Sequence, residues 1–357
     1  MNPIDTKIPP ADEDTAIFPV SDSRSFGGTV PKRNAQVIVF HSHGVGQLIQ
    51  LSHFPENGET LWSSSWEIGS DGAKGSNTAA ALERLGVPTA FVSKIGADIW
   101  GRIGEDLLEK NGVSCEALIR DSSMTTQIGA VLVDRSGSNS ILLGGEAACF
   151  SAEEIQHSID RYPETNYLIT GFEIRISDAL KAASYAKNQG KYVILNPSPA
   201  PDRDIGRLDF VDLLVVNETE RDALLALKNC RTIDSKKEDG SANKQYDIQS
   251  IQRLQELYGC AHIILTLSGD GCLLLDKGQI VFFPAQSVPV TDTSGAGDSF
   301  LAAVTAALVH GLPLSKGCEL ATLYAAQTVQ KWGTFPAFAS LEEMNALYPE
   351  MFSLLKA

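Results

Sequence analysis

The sequence predicts an α/β fold in which helices cover both faces of a parallel β-sheet. The first observation is an alternation of apolar strands and helices, which becomes regular after residue 150. The second is that these strands are continuous apolar runs, such as "YVILN" at 192–196, without polar residues at every second position. Strands that are buried on both faces have this pattern, so the core is expected to have three layers, helix–sheet–helix.

In the second half of the chain, the βα order can be followed element by element. Helical periodicity separates the strands, and a polar segment at 228–246 interrupts the order and is predicted to be a surface loop. The predicted strands are 167–170, 192–196, 212–217 and 262–267. The predicted helices are 177–190, 218–227 and 247–259.

In the first half, the same core is expected to include strands at 35–40 and 89–96 and helices at 77–85 and 101–112. The remaining strand-like segments, about 46–68 and a hairpin within 125–143, contain turn signals. We expect them to form a small separate sheet. Such a sheet cannot bury both of its faces, so it would cover the main domain as a lid or pair with another subunit.

Composition limits the classes of function. The chain has 357 residues and a formal net charge of −15, which argues against a nucleic-acid partner. Six scattered cysteines without a C-x-x-C pair indicate reduced thiols and a cytoplasmic protein. No apolar run has membrane-spanning length, so no membrane partner is expected. Residues 1–34 are polar and rich in Pro and Asp, and are predicted to be a flexible extension before a single domain at 35–357.

The stretch "TDTSGAGDSF" at 291–300 predicts an anion site. Phe300, Val304 and Leu308 recur at helical spacing, so a helix should begin near Gly297 or Asp298. The free N–H groups of a first helical turn attract anions, and small residues allow an anion to approach the backbone. The alternative is that Asp298 is an N-cap and the glycines only form the turn.

Four more polar or glycine-rich loops follow predicted strands or precede helices. Each alone can be read as an ordinary turn or cap, and "NETE" is also a capping box. Together they are expected at the carboxyl ends of the strands, where open α/β sheets bind ligands. The four loops are "GSDGAKGSN" (69–77), "NPSPA" (196–200), "NETE" (217–220) and "TLSGDG" (266–271).

These motifs resemble the signatures of the ribokinase-like, or PfkB, carbohydrate kinases. "DTSGAGDSF" is similar to the D-T-x-G-A-G-D signature, and "GAKGSNTAAALERLG" to the N-terminal signature. The resemblance covers roughly 35–350 and implies a Rossmann-like core with a small β-sheet lid. It also implies transfer of the γ-phosphoryl group of ATP to a hydroxyl of a small sugar or polyol. Asp298 would then be the general base, and the amides of Gly295, Ala296 and Gly297 would stabilise the phosphoryl group.

The resemblance also implies the binding residues. Magnesium would be held mainly by phosphates and water, with Asn217 and Glu220 indirectly involved, and Asp292 would lie near a monovalent cation such as K⁺. The lid strands suggest a homodimer. The implied sugar contacts are Gly72, Ala73, Lys74, Asn77, Glu173 and the strand position Gly46. The implied nucleotide contacts are Asn196, Asn217, Glu220, Thr266, Ser268, Gly269 and Gly271.

The sequence departs from the family on the substrate side. The family's first strand is followed by an Asn and an Asp that bind the sugar, and those positions fall on Gly44 and Gly46. We expect other polar residues to replace these contacts, with His41, His43, Gln47 and Gln127 as candidates. A nucleoside or sugar-acid kinase is the alternative within the kinase class. A non-catalytic sugar or nucleotide sensor is the alternative outside it.

Overall fold

Two β-sheets contain the strands of the part of the chain that the structure describes. The structure is a computed structural model, and it describes residues 34–135, 139–230 and 244–355, all within one compact unit. The strands are β1 (Val37–Phe40), β2 (Gly44–Gln50), β3 (Ser65–Ile68), β4 (Thr89–Gly96), β5 (Leu118–Asp121), β6 (Gln127–Val133), β7 (Asn139–Gly144), β8 (Tyr167–Gly171), β9 (Tyr192–Asn196), β10 (Leu213–Asn217), β11 (His262–Thr266), β12 (Gly271–Asp276) and β13 (Gln279–Pro284).

The larger sheet forms the middle layer. Its strand order is β13-β12-β11-β10-β9-β8-β1-β4-β5, and the strands from β11 to β5 pair in parallel. Strands β12 and β13 extend one edge in antiparallel pairing. The carboxyl ends of the parallel strands therefore lie along one edge of the sheet, which positions the loops that follow them.

Helices cover both faces of this sheet. Consecutive strand residues point to opposite sides, so each face presents apolar side chains to its own layer of helices. Val39 belongs to one apolar cluster with α1, α7 and α8, whereas Phe40 belongs to a second cluster with α3, α4, α5 and α6. The helices are α1 (Lys74–Arg84), α2 (Ile99–Lys110), α3 (Ala152–Asp160), α4 (Ile176–Asn188), α5 (Glu218–Leu227), α6 (Lys244–Tyr258), α7 (Ala296–Val309), α8 (Leu314–Thr328), α9 (Leu341–Leu347) and α10 (Pro349–Phe352).

The smaller sheet has the order β3-β2-β6-β7 and is the predicted second sheet. Strands β2 and β6 pair in parallel across a long stretch of sequence, with β3 and β7 added in antiparallel pairing. Apolar side chains of the outer strands are exposed, among them Trp66 and Ile68 on β3 and Leu142 on β7. Much of the apolar surface of this sheet is therefore exposed, as expected of a small sheet that cannot bury both of its faces.

Several boundaries differ from the predictions. Helix α1 begins at Lys74 rather than Asn77, and α6 begins at Lys244 rather than Asp247. The segment after β11 contains a short 3₁₀ helix, Ser268–Asp270, which joins β11 to its antiparallel neighbour β12, so the interpretation of this loop as a turn is confirmed. The predicted extension up to residue 33, the hairpin turn at 136–138 and most of the predicted loop, 231–243, lie outside the described residues.

Two further predictions concern membrane-spanning segments and the state of the cysteines. Within the described ranges, no helix is both long enough and apolar enough to cross a membrane. The six cysteines are free thiols.

Candidate active site

A cavity of about 340 Å³ lies between the lid strands and the amino ends of α1 and α7. Strands β2, β6 and β7 form one wall, and the loops before the two helices form the other. The sequence-predicted residues that line it are Gly46, Gly72, Ala73, Lys74, Asn77, Glu173, Asn217, Gly295, Gly297 and Asp298. The structure thus brings loops from four separate parts of the chain to one place.

The amino end of α7 has the geometry of an anion site. Gly295 is the N-cap and has a φ of 73°, and the first intrahelical bond runs from the Ser299 N–H to the Gly295 carbonyl at 2.8 Å. Because the helix begins at Ala296, the N–H groups of Gly297 and Asp298 have no carbonyl partner within the helix. The Ala296 N–H donates to the Thr293 carbonyl at 3.3 Å, so it is less available than the other two.

Asp298 is buried in the first turn of α7 and is not the N-cap. Its Oδ2 accepts a hydrogen bond from Asn77 Nδ2 at 2.9 Å. The orientation of the Asn77 amide is set by two donors to its Oδ1, the Thr334 hydroxyl at 2.9 Å and the Gly72 N–H at 3.1 Å. Asn77 therefore holds the Asp298 carboxylate in place from the neighbouring helix α1.

The amino end of α1 is capped by distant residues. The Lys74 N–H and the Ser42 hydroxyl both donate to Glu173 Oε2, at 2.8 and 2.6 Å. Burial raises the pKa of Glu173 despite these donors and the nearby Lys74 charge. Burial alone would lower the pKa of Lys74, but the charges of Asp298 and Glu173 outweigh it and raise the pKa. These contacts extend α1 to Lys74 and place its side chain in the cavity.

The "NETE" loop forms the predicted capping box at the start of α5. The Glu220 N–H donates to Asn217 Oδ1 at 2.8 Å, and the Asn217 N–H donates to Glu220 Oε2 at 3.0 Å. Asn196 Nδ2 reaches the same Glu220 oxygen at 3.4 Å. The structural interpretation of this motif is therefore confirmed, and the box also draws Asn196 towards Asn217, which lines the cavity.

Thr266, Ser268, Gly269 and Gly271 do not line this cavity. They lie in the next loop along the sheet edge, because Thr266 pairs with Asn217 in the β10–β11 ladder. The predicted nucleotide residues are thus in a row along the carboxyl ends of adjacent strands, beside the cavity.

Asp292 connects two loops. Its Oδ1 accepts from the Ser294 N–H at 2.9 Å, and its Oδ2 accepts from the Gly333 N–H at 3.0 Å. Among the described residues, no group of three or more His, Cys, Asp or Glu side chains could hold a metal ion. Any cation at Asp292 would therefore need other oxygen ligands, such as backbone carbonyls, hydroxyl groups or water.

Comparison with known protein families decides the class. The model of the pfkB family of carbohydrate kinases matches residues 45–338, most of the chain. The chain belongs to this family. The predicted class of enzyme, an ATP-dependent carbohydrate kinase, is therefore confirmed, and the roles of individual residues remain proposals.

The relatives of this family member include sugar kinases of similar length. It is 28% identical to deoxyribokinase of Salmonella typhi over 312 residues, which is 87% of this chain and 97% of the relative. It is 27% identical to ribokinase of Staphylococcus aureus, over 87% of this chain and 98% of the relative.

Solved structures confirm the predicted fold. The crystal structure of ribokinase from Thermotoga maritima matches with a TM-score of 0.75 at 25% identity, covering 90% of this chain and 100% of that chain. A ribokinase of Arabidopsis thaliana, complexed with ribose and ATP, matches with a TM-score of 0.75 at 23% identity, over 90% and 99% of the two chains. The three-layer core and small lid sheet are thus those of a pfkB-family kinase.

Most of the candidate replacements on the substrate side do not reach the cavity. His41 and His43 are buried behind it, and burial lowers their pKa values to about 3 and about 4. Gln47 accepts a hydrogen bond from Trp66 Nε1 at 3.0 Å and does not line the cavity either. Gln127 does line it.

Asp71, a carboxylate that the sequence motifs did not single out, lines the cavity next to Gly46. It lies within the glycine-rich loop at 69–77, directly before Gly72. That position was a usable signal, because a carboxylate in a predicted sugar-binding loop is a candidate ligand for hydroxyl groups.

Proposed function

We propose that the protein transfers the γ-phosphoryl group of ATP to a hydroxyl group of a small sugar or polyol, with Asp298 as the general base. One observation carries this proposal: the buried Asp298 carboxylate lies in the first turn of α7, beside free backbone N–H groups that face the same cavity. A base and an anion site that share a cavity are what phosphoryl transfer to a hydroxyl needs.

The free amides of α7 stabilise the transferring group. The positive end of the helix dipole and the N–H groups of Gly297 and Asp298 attract the negative charge of a phosphoryl group. Gly295 and Gly297 allow it to approach because neither carries a side chain. Ala296 contributes less, because its N–H is shared with Thr293.

Asp298 accepts the proton of the attacking hydroxyl. Asn77 orients its carboxylate through the 2.9 Å hydrogen bond, which leaves the carboxylate's other lone pairs available for the hydroxyl. An ionised carboxylate suffices as the base because proton transfer can follow phosphoryl movement.

The nucleotide binds along the carboxyl ends of β9, β10 and β11. Asn196 and Asn217 lie on the phosphate side, and Thr266, Ser268, Gly269 and Gly271 lie on the nucleoside side. Both carboxylate oxygens of Glu220 accept hydrogen bonds within the capping box, so Mg²⁺ would be held mainly by phosphates and water, and Glu220 would act through Asn217. Asp292 keeps unused lone pairs beside its two N–H donors, and these with nearby carbonyls fit a monovalent cation such as K⁺.

The acceptor is a small sugar held by Glu173, Asn77, Lys74 and the backbone of 72–73. A cavity of about 340 Å³ lies at the small end of ligand pockets. The names of the relatives, ribokinase and deoxyribokinase, support a pentose. A nucleoside acceptor is the alternative kinase substrate. A non-catalytic sensor is disfavoured, because it would not require Asp298 to be held beside the free amides.

Two further proposals concern the whole protein. We propose a homodimer in which the lid sheets of two copies cover each other's exposed apolar residues, and a cytoplasmic location consistent with six free thiols. We also propose that the kinase domain spans 35–357 and that residues 1–34 are an N-terminal extension.

A coupled assay of ADP release tests the proposed function. The purified protein is incubated with ATP, Mg²⁺ and a panel of neutral sugars, sugar acids and nucleosides, and the product is identified by ³¹P NMR. We expect ADP release and a sugar phosphate with at least one neutral sugar. A protein that binds ATP and phosphorylates none of the panel would contradict the proposal.

A further inference from the structure

Asp71 occupies the position in the cavity wall where strand β2 meets the glycine-rich loop. It follows β3, precedes Gly72, and lines the cavity together with Glu173 and Asp298. Its backbone is fixed against β2, because the Gly46 N–H donates to the Asp71 carbonyl at 2.9 Å and the Gly69 N–H donates to the Gly46 carbonyl at 2.8 Å. The position of this carboxylate is therefore set by the backbone.

Gly46 makes room for Asp71. A Cβ atom at residue 46 would lie 2.6 Å from the Asp71 Cβ and 2.7 Å from its carbonyl oxygen. Real side chains do not come so close, so a side chain at residue 46 and the present placement of Asp71 exclude each other. The absence of a side chain at Gly46 and the presence of a carboxylate at Asp71 are thus one structural feature.

Asp71 shares a hydrogen-bond donor with the proposed base. Asn77 Nδ2 lies 3.3 Å from Asp71 Oδ1 and 2.9 Å from Asp298 Oδ2. A carboxylate has about four acceptor positions, more than its described neighbours use. Asp71 can therefore accept hydrogen bonds from hydroxyl groups of a molecule whose reacting hydroxyl lies at Asp298.

A carboxylate is an unfavourable choice here for a purely structural role. Burial, with the nearby charge of Asp298, raises the pKa of Asp71 to about 6 against the hydrogen bonds from Thr334 and Asn77. An asparagine could accept the same hydrogen bonds without a buried charge. Unfavourable charges of this kind are common at functional sites, where binding requires them.

The charges around the cavity disfavour an anionic acceptor. The charged residues that line it are three carboxylates, Asp71, Glu173 and Asp298, and one cation, Lys74. A sugar acid would bring a further negative charge among these carboxylates, whereas the hydroxyl groups of a neutral sugar can donate to them.

We propose that Asp71 binds hydroxyl groups of the acceptor and makes the enzyme select neutral polyhydroxyl substrates over sugar acids. This inference rests on the proposed function and deepens it. Asp71 acts on acceptor binding and specificity, whereas Asp298 acts on the reacting hydroxyl.

Steady-state kinetics of Asp71→Asn and Asp71→Ser test the inference, with D-ribose or 2-deoxy-D-ribose as the neutral probe and D-ribonate as the anionic probe. We expect the KM for the neutral sugar to rise about tenfold or more and the KM for ATP to stay within twofold. We also expect the preference for the neutral sugar over D-ribonate, as a ratio of kcat/KM, to fall at least tenfold. A residue with a structural role alone would not change that ratio.

The matched control is Glu67→Gln, which removes one exposed carboxylate from the adjacent strand β3. It should leave both KM values and the preference unchanged. If Asp71→Asn and Asp71→Ser fold and keep the wild-type KM and preference, the inference is wrong and the proposed function stands. If the wild-type protein phosphorylates no sugar at all, the proposed function fails, and the role of Asp71 fails with it.

Discussion

At the scale of single residues, the site depends on one amide. Asn77 receives two donors on its oxygen and donates from its nitrogen to Asp298, with Asp71 close to the same nitrogen. Every polar atom of its side chain is thus used, which holds the two carboxylates in fixed positions.

The raised pKa of Asp71 gives a prediction about stability. Because its pKa of about 6 in the folded protein exceeds the ordinary value of 3.8, ionisation of Asp71 destabilises the fold as the pH rises from about 4 to 6. The side chain at this position cannot ionise in Asp71→Asn, so the variant keeps the free energy of unfolding that the wild-type protein loses. That difference is on the order of 2 kcal/mol after allowance for partial exposure. We therefore expect Asp71→Asn to raise Tm by about 2–4 °C at pH 7.5 and by less at pH 4.5.

Differential scanning calorimetry of wild-type protein, Asp71→Asn and Glu67→Gln at both pH values measures this difference. Glu67 is exposed, so its variant should follow the wild-type protein. An equal change in Tm at pH 4.5 and pH 7.5 would show that Asp71 carries no unfavourable charge in the folded protein.

The sequence singled out the proposed base, Asp298, but not its neighbour Asp71. Asp298 was recognisable because its whole loop has a distinctive composition. Asp71 stood in the glycine-rich loop at 69–77 as a possible ligand, but its place in the cavity wall depends on contact with Gly46, 25 positions earlier, and no local pattern reports that contact. His41 and His43 show the reverse case. They are close to the site residues in the sequence, yet their side chains are buried behind the cavity.

At the scale of elements, the amino end of α7 separates two roles of glycine. Gly295 has a φ of 73°, and a Cβ there would lie 3.0 Å from Thr334 Cγ2. A Cβ at Gly297 would meet no atom within 4 Å. The first glycine is thus needed for the backbone conformation, and the second leaves open space in front of the free amides.

These differences predict opposite behaviour for two alanine variants. Gly297→Ala should leave the free energy of unfolding unchanged or raise it by about 0.5–1 kcal/mol, because alanine favours a helix. Its kcat should fall about 100-fold, because the methyl group occupies the approach of the phosphoryl group. Gly295→Ala should lower the free energy of unfolding by about 1–2 kcal/mol, because it forces a left-handed backbone on alanine.

Urea unfolding and initial-rate kinetics on the same preparations measure both effects. A Gly297→Ala variant with a kcat within threefold of wild type would argue that no anion approaches the backbone there, and that the glycine serves the turn alone.

Helix α1 shows why some element boundaries could not be predicted. Local pattern placed its start at Asn77, because the preceding residues are small and polar. The structure extends it to Lys74, because Glu173, about 100 positions later in the chain, accepts the Lys74 N–H. A cap from a distant part of the chain has no signature next to the helix that it caps.

At the scale of the whole molecule, the lid sheet leaves an apolar surface that needs a cover. Leu142 is 60% exposed on β7, an edge strand of the small sheet within the described residues. The proposed homodimer predicts that Leu142→Lys weakens self-association by at least tenfold, because a charge would be buried at the interface. Sedimentation velocity across a range of concentrations measures this.

Val281→Lys is the matched control. Val281 is 43% exposed on β13, at the edge of the large sheet and away from the lid. It should leave the association state unchanged. A wild-type protein that remains monomeric at micromolar concentration would contradict the dimer. The apolar face of the lid sheet would then have to be covered within the same chain.

The overall architecture was predictable because it rests on repeated local patterns. Continuous apolar strands alternating with helices indicated the three layers, and polar loops after the strands indicated the ligand edge. The lid was predictable only as a set of strands. Its central β2–β6 pairing is parallel and joins Gly44–Gln50 to Gln127–Val133, and no turn between the two strands fixes their register.

In the proposed reaction, Asp298 removes the proton of a sugar hydroxyl during phosphoryl transfer from ATP. The most direct measurement is the kcat of Asp298→Asn with a neutral sugar that the wild-type enzyme phosphorylates, alongside the affinity for ATP. We expect kcat to fall by about 10²–10⁴-fold with the affinity for ATP unchanged, because the Asn77 hydrogen bond can be kept while the base is lost. A folded Asp298→Asn enzyme with a kcat within tenfold of wild type would contradict the role of Asp298 as the base.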